Sequence, residues 1–195
     1  MKPLLKISLS GIFSVVLLNS SLATAKTRHT PLRSFGDYMQ IINPIIAGSL
    51  AAQEKGLGHF AIIYGQTLLG AHSIKLITKS GKWSMSKRPY IEGKKDRFEG
   101  MPSAHTASAW AAASYVRTFS DDYKYASIPL YITAAITGYS RVKAKEHTWG
   151  QVVGGAALAE IVTYVNSKLA WSNEYRSTDF YFGKDGATFS LQFKL

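Results

Sequence analysis

Apolar residues recur every three or four positions through most of the chain, and this spacing predicts helices. The first such pattern, Phe35–Gln53, contains Pro44 and follows a polar, basic stretch, 26–35, that we expect to be loose. Alanine and glycine are frequent in the later helices and allow close packing. The sequence therefore predicts an all-α bundle of about five helices, near residues 35–53, 56–78, 103–119, 121–138 and 151–170.

The end of the chain changes to a strand-like pattern. Two short runs rich in aromatic residues, 179–182 and 187–193, flank the turn sequence Gly-Lys-Asp-Gly. This arrangement predicts a short C-terminal β-hairpin. An isolated hairpin is marginally stable in water, so we expect it to pack on the bundle.

The second predicted helix has no acidic residue, lysine or arginine between Gly56 and Ile74. A helix of this length would extend about 28 Å, close to the thickness of the hydrocarbon core of a bilayer. The same segment contains His59, Gln66 and His72, which are polar. We interpret it as a buried core helix, with a membrane-inserted helix as the alternative.

The N-terminus has the three parts of a secretory signal peptide. Two lysines precede an apolar stretch, Ile12–Leu18, and the small residues that end at Ala25 suit cleavage there. The apolar stretch is short for a membrane span of about 20 residues, although a retained anchor is the alternative. We therefore predict a signal peptide at 1–25, one domain at 26–195, and a periplasmic location, with or without association with a membrane.

The chain carries a formal net charge of +11, which favours anionic partners such as phosphorylated substrates or anionic lipids. Export argues against nucleic acid as the partner. The absence of cysteine excludes disulfides, thiolate zinc sites and a cysteine nucleophile. The sequence has no carboxylate-rich metal motif, so we expect neither a metal nor another cofactor.

One segment, Gly138–Gly154, combines groups that suit phosphoryl chemistry. Arg141 ends one predicted helix and His147 precedes the next, so a short loop returns both side chains to one pocket. Thr148 and Gln151 have the spacing of a capping box, T-x-x-Q, and Gln151 therefore also has a purely structural interpretation.

Two other segments add cations and a second histidine. Arg88 precedes Pro89, which stiffens a long basic loop. Ser103 suits the N-cap of a helix, whose free N–H groups bind phosphate readily, and His105 falls in its first turn. Each feature alone is better explained as a solvated cation or a capped core helix, but together they suit an oxyanion held by cations between two imidazoles.

The three segments together resemble the type 2 phosphatidic acid phosphatase superfamily, which includes bacterial acid phosphatases and vanadium haloperoxidases. The pattern of that family is Lys, six residues, Arg-Pro; then Pro-Ser-Gly-His; then Ser-Arg, five residues, His, three residues, Asp. Here it is matched by Arg88-Pro89, by 102–105, and by Ser140-Arg141 followed by His147. The resemblance extends from about residue 75 to 159 and implies an acid phosphatase-like helical bundle with its site at one end.

The chain departs from the family pattern at three positions. Gly81 stands where the family lysine is expected, and we prefer Lys75 over Lys82 as its counterpart. Ala104 replaces the family glycine and keeps the backbone N–H. Gln151 replaces the family aspartate, and an amide can accept the same hydrogen bond but carries no charge.

The resemblance implies a mechanism and assigns its residues. His147 attacks phosphorus and forms a phosphohistidine, while His105 protonates the leaving oxygen and later helps to activate water. Gln151 orients His147, and if its lack of charge weakens the catalyst, Gln151→Asp is expected to raise activity. The phosphoryl oxygens would be held by Lys75, Arg88, Ser103, Ala104 and Arg141.

The resemblance implies an exported, metal-independent phosphatase that hydrolyses a phosphomonoester or pyrophosphate of a lipid, with a membrane surface as a further partner. Two alternatives stay open. One is a soluble acid phosphatase of broad specificity that acts on small phosphate esters. The other is a catalytically weakened member that binds phosphate or lipid because Gln151 replaces the aspartate.

Overall fold

The computed structural model describes residues 30–91 and 95–168, together with the backbone of residues 178–183 and 186–191. The predicted signal peptide, 1–25, lies outside these residues and stays a prediction. The described chain has five long helices, as the sequence predicts: α1 Pro31–Gln53, α2 Leu57–Ser80, α3 Ala104–Phe119, α4 Ser127–Lys143 and α5 Trp149–Lys168. Short 3₁₀ turns lie at Ser84–Ser86 and Lys124–Ala126, and β1 Thr178–Gly183 pairs antiparallel with β2 Gly186–Leu191.

Helix α1 begins at Pro31, inside the stretch that the sequence analysis expects to be loose. The side chain of Thr30 accepts a hydrogen bond from the backbone N–H of Arg33 at 3.3 Å and caps the helix. Pro31 stands at the first helical position, where its missing N–H costs nothing. This early start gives Arg33 a fixed position on the bundle.

Helix α4 begins and ends later than the sequence analysis predicts. It starts at Ser127 because the preceding residues, 124–126, form a 3₁₀ turn. It then continues past Gly138 to Lys143, so that Arg141 lies in its last turn.

Helix α3 is the centre of the bundle and packs against each of the other four helices. Its alanines at 107, 109 and 111–113 are buried, and these small side chains allow close approach. Gly155 of α5 meets the first turn of α3 directly, because a Cβ at this position would lie 2.5 Å from the carbonyl oxygen of Ser103. The contact fixes the start of α3 against the start of α5.

Many large apolar side chains are exposed on the outer helices of the bundle. Helix α2 is, among the described residues, the one helix long and apolar enough to cross a membrane, and 22% of its apolar window is buried. This exposure differs from the buried core helix that the sequence analysis favours. The exposed apolar side chains of the other outer helices are Tyr38, Ile41, Ile42, Ile45 and Ile46 on α1, Ile128, Ile132, Ile136 and Tyr139 on α4, and Trp149, Val153, Ile161, Tyr164 and Val165 on α5.

Candidate active site

The three predicted segments converge on one cavity of about 570 Å³ at an end of the bundle. Helices α1 and α2, the start of α3 and the loop between α4 and α5 supply its walls. Six of the predicted site residues line it, namely Lys75, Arg88, Ala104, His105, Arg141 and His147. Predicted residues from distant parts of the sequence thus surround a space large enough for a phosphoryl group.

The amide of Gln151 fixes the position of the His147 ring. Its Oε1 lies 3.2 Å from His147 Nδ1 and also accepts the backbone N–H of Thr148 at 3.2 Å. Its Nε2 donates to the carbonyl oxygens of Met85 and Lys87, both at 2.9 Å. These backbone partners allow only one amide orientation, because carbonyls cannot donate and an N–H cannot accept.

This orientation selects the tautomer of His147. Because Oε1 of Gln151 is an acceptor, His147 Nδ1 carries the proton and donates it. Nε2 is then left with its lone pair, as a nucleophile requires. Thr148 also completes the predicted capping box, since its Oγ1 accepts the N–H of Gln151 at 3.3 Å.

The pKa of His147 is lowered to about 3, mainly by burial. The nearby positive charge of Arg88 also lowers this pKa, by more than the hydrogen bond to Gln151 raises it. The imidazole is therefore neutral at physiological pH.

Gly100 makes room for the amide of Gln151. A Cβ at Gly100 would lie 2.4 Å from Gln151 Nε2, and the backbone N–H of Gly100 donates to the carbonyl of Ser86 at 2.8 Å. Any side chain here would push the amide away from His147. The loop before α3 is thus fitted to the residue that orients the histidine.

Asp37 of α1 joins His105 and Arg141 through a single oxygen. Its Oδ1 lies 2.6 Å from Arg141 Nη1 and 3.3 Å from His105 Nε2. The sequence analysis missed this residue because it belongs to no motif. One sequence feature could have identified it: Asp37 is the one acidic residue of α1.

Arg141 is buried in a fitted position. Its Nη2 donates to the carbonyl oxygen of Arg33 at 2.5 Å and its Nε to Ser140 Oγ at 3.1 Å. Gly36 admits the guanidinium, because a Cβ there would lie 2.9 Å from Arg141 Nη2. The paired charge of Asp37 offsets the cost of burying this cation.

Arg88 contacts two carboxylates. Its Nη1 donates to Glu146 Oε2 at 2.7 Å, and its Nε lies 3.3 Å from Glu99 Oε1. Glu146 Oε1 also lies 3.3 Å from Arg33 Nη2. Arg33, Glu99 and Glu146 belong to no motif and were not predicted from the sequence as parts of this region.

Two predicted residues lie elsewhere than the others. Ser103 is buried and does not line the cavity; its Oγ accepts the hydroxyl of Thr106 at 3.0 Å and the Thr106 N–H at 3.5 Å as the N-cap of α3. Lys82 is exposed, with a φ of 49° just past the end of α2, whereas Lys75 lines the cavity. Within the described residues, no group of three or more His, Cys, Asp or Glu side chains is arranged to hold a metal ion.

Comparison with known families agrees with this arrangement. A family model described as the PAP2 superfamily matches residues 60–175. The chain belongs to the PAP2 superfamily. This match begins inside α2, so Arg33 and Asp37 of α1 lie outside the residues that match the family model.

Two individual proteins are similar to this PAP2 chain. The lipid A 4'-phosphatase of Helicobacter pylori (strain J99 / ATCC 700824) is 34% identical over 143 residues, which cover 66% of this chain and 65% of that protein. The chain therefore spans slightly less than two thirds of the length of this relative. The crystal structure of Aquifex aeolicus LpxE shares the fold with a TM-score of 0.50 at 18% identity, covering 71% of this chain and 86% of the other.

Proposed function

We propose that this chain is a phosphatase that hydrolyses a phosphomonoester or pyrophosphate of a lipid through a phosphohistidine at His147. The observation that carries the proposal is the fixed tautomer of His147, a residue that lines a cavity together with several cations. Membership of the PAP2 superfamily supports phosphatase chemistry. The name of the lipid A 4'-phosphatase supports a phosphorylated lipid as substrate.

In the first step, Nε2 of His147 attacks phosphorus, the P–N bond forms and the bond from phosphorus to the leaving oxygen breaks. His105 gives its proton to that oxygen as the alcohol or phosphate departs. Lys75, Arg88 and Arg141 stabilise the charge that develops on the other oxygens, together with the backbone N–H of Ala104.

In the second step, His105 takes a proton from water, and the oxygen of that water attacks the phosphohistidine. The P–N bond breaks, inorganic phosphate is released, and His147 regains its lone pair. Asp37 positions the general acid and base by accepting a hydrogen bond from His105. Ser103 contributes through the cap that holds the start of α3 beside the cavity.

Gln151 acts as a neutral substitute for the aspartate of the family pattern. Its amide oxygen receives the Nδ1 proton of His147 and leaves no choice of tautomer. It supplies no negative charge to the imidazolium that would form if Nε2 were protonated, which favours a ring that remains neutral before attack. This geometry favours an active enzyme over a family member that only binds phosphate.

The apolar outer surface favours a lipid substrate over a small soluble ester. Exposed apolar side chains cover α1, α4 and α5, and we propose that these faces contact lipid. Ile41 belongs both to this surface and to the wall of the cavity, so an acyl chain and its phosphorylated headgroup can be bound continuously. Tyr139 and Trp149, with ring centroids 6.2 Å apart, lie at the cavity end and suit a membrane interface. With the predicted signal peptide, we propose that this interface is periplasmic.

The proposal is tested by assaying phosphate release from a phosphorylated lipid in detergent and from a small aryl phosphate without detergent. We expect hydrolysis of the lipid, its loss in His147→Ala, and radioactive phosphate trapped on histidine in the wild-type chain. His72→Ala is the matched control, because His72 also lines the cavity but belongs to none of the three segments. Turnover that survives in His147→Ala would refute the mechanism, and turnover of the aryl phosphate alone would favour the soluble acid phosphatase.

A further inference from the structure

Glu146 lines the cavity and places its carboxylate among three arginines. Its carboxylate contacts Arg88 at 2.7 Å, Arg33 at 3.3 Å and Arg97 at 3.9 Å. The side chain is 17% exposed, lines the cavity and precedes His147 in sequence. Three guanidinium groups around one carboxylate make the kind of site that also binds a phosphoryl group.

Both carboxylate contacts of Arg88 affect how it can bind substrate. Nε faces Glu99, which does not line the cavity, and Nη1 is bound by Glu146, which does. A paired contact of the guanidinium with two phosphoryl oxygens that uses Nε, or the Nη1 proton donated to Glu146, therefore requires the release of a carboxylate. Glu146 is the one on the cavity side.

The balance of charges around the cavity also favours the binding of an anion. Four cationic side chains line it, Arg33, Lys75, Arg88 and Arg141, against the two carboxylates of Asp37 and Glu146. The formal excess is two positive charges with Glu146 in place and three once Glu146 is displaced, and both attract the dianion of a phosphomonoester. A carboxylate that stayed on Arg88 would repel this dianion at close range.

Donors are also left over on the arginines that surround Glu146. Arg33 Nε, Arg88 Nε and Arg97 Nη2 are buried and make no hydrogen bond among the described residues, although Arg88 Nε is 3.3 Å from Glu99 Oε1. Of these three arginines, Arg33 and Arg88 line the cavity. Unmet buried donors are costly, and an additional oxygen acceptor near them would be favoured.

We propose that Glu146 is an internal anion that occupies Arg33 and Arg88 in the absence of substrate and is displaced by the phosphoryl group. Arg33 thereby becomes an additional phosphate-binding residue from outside the family motifs. The inference rests on the proposed function, because it assumes that Arg88 binds a phosphoryl oxygen. Competition from Glu146 weakens the binding of inorganic phosphate and so favours release of the product.

The test measures the inhibition constant of inorganic phosphate for lipid hydrolysis in Glu146→Gln and in Glu99→Gln. Both changes remove one carboxylate from Arg88, but only the first removes the competing group in the cavity. We expect the inhibition constant to fall about tenfold in Glu146→Gln and much less in Glu99→Gln. An unchanged or higher constant in Glu146→Gln, or equal effects of the two changes, would overturn the proposal.

Arg33→Gln in the otherwise wild-type chain gives an independent result if Glu146→Gln does not fold. If Arg33 binds the phosphoryl group, the inhibition constant of phosphate rises, whereas an Arg33 that only restrains Glu146 would leave it unchanged or lower. Calorimetric titration of the wild-type chain with phosphate distinguishes a failure of the proposed function from a failure of the role of Glu146. A wild-type chain that neither binds phosphate nor hydrolyses lipid contradicts the proposed function, whereas one that does both without response to these changes contradicts only the role of Glu146.

Discussion

Replacing Gln151 with aspartate tests the central geometry of the site. On the family pattern alone, this change restores a missing charge and is expected to raise activity. The hydrogen bonds of Gln151 reverse that expectation, because its Nε2 donates to the carbonyls of Met85 and Lys87 at 2.9 Å. A carboxylate at this position would have no proton for either carbonyl, and its shorter side chain would draw back from His147.

The expected loss of stability follows from the hydrogen bonds that Gln151→Asp removes. Each of the two buried hydrogen bonds contributes about 0.5–1.5 kcal/mol, and each unsatisfied carbonyl adds to the cost. A buried carboxylate facing two carbonyl oxygens costs more again, so we expect Gln151→Asp to lower the free energy of unfolding by about 3 kcal/mol or more. For a chain of this size that corresponds to a fall in Tm of about 6–12 °C.

The assay combines thermal unfolding in detergent with turnover of the phosphorylated lipid. We expect lower stability and at least about tenfold slower turnover, because the tautomer and position of His147 are no longer fixed. Gln53→Asp is the control for the same chemical change at an exposed site: Gln53 ends α1 and accepts a hydrogen bond from the Tyr123 hydroxyl at 2.8 Å, so the change there should cost about 0.5–1.5 kcal/mol, less than at Gln151. A Gln151→Asp variant that is as stable as the wild type and turns over faster would refute this reasoning.

Three further predictions concern charge and protonation. His147, with a pKa of about 3, should show no imidazole titration between pH 8 and 5 by NMR; because an unfolded histidine protonates near pH ~6.5, stability should fall as pH drops from there toward 3. Asp37→Asn should lower kcat by about a hundredfold with a smaller change in KM, and Asp37→Glu should retain part of the wild-type kcat. A kcat of Asp37→Asn equal to that of the wild type would contradict the positioning role of Asp37. Glu160→Gln should lower the free energy of unfolding by about 1–2 kcal/mol in thermal denaturation, because it replaces the oxygen that accepts from Ser114 and Arg117; unchanged stability would contradict this.

The sequence predicts the helices and the motif residues because their signals are local. The apolar spacing that predicts α2 and α3, the N-cap of Ser103 and the five residues between Arg141 and His147 all depend on neighbours within about two helical turns. Each of these signals can therefore be recognised without knowledge of the tertiary contacts. The boundaries of α1 and α4 were less accurate, because a short cap or 3₁₀ turn decides them.

The partners of the motif residues could not be predicted in the same way. The bond between Arg141 and Asp37 joins residues 104 positions apart, and no pattern in either segment specifies the other. The partners of the Gln151 amide are backbone carbonyls, which every residue possesses and which therefore leave no trace in the sequence. For this reason the replacement of aspartate by glutamine looks like a loss in the sequence, whereas in the folded chain the amide donates two hydrogen bonds that a carboxylate could not donate.

Helix α1 is required for the site although it precedes the residues that match the PAP2 superfamily. Arg141 is 1% exposed, and its nearest charge partner, Asp37, and one of its acceptors, the carbonyl of Arg33, both come from α1. A guanidinium buried without these partners would be an uncompensated charge, which costs several kcal/mol. Without α1, Arg141 would therefore turn toward water and leave the cavity, and His105 would lose the carboxylate that positions it.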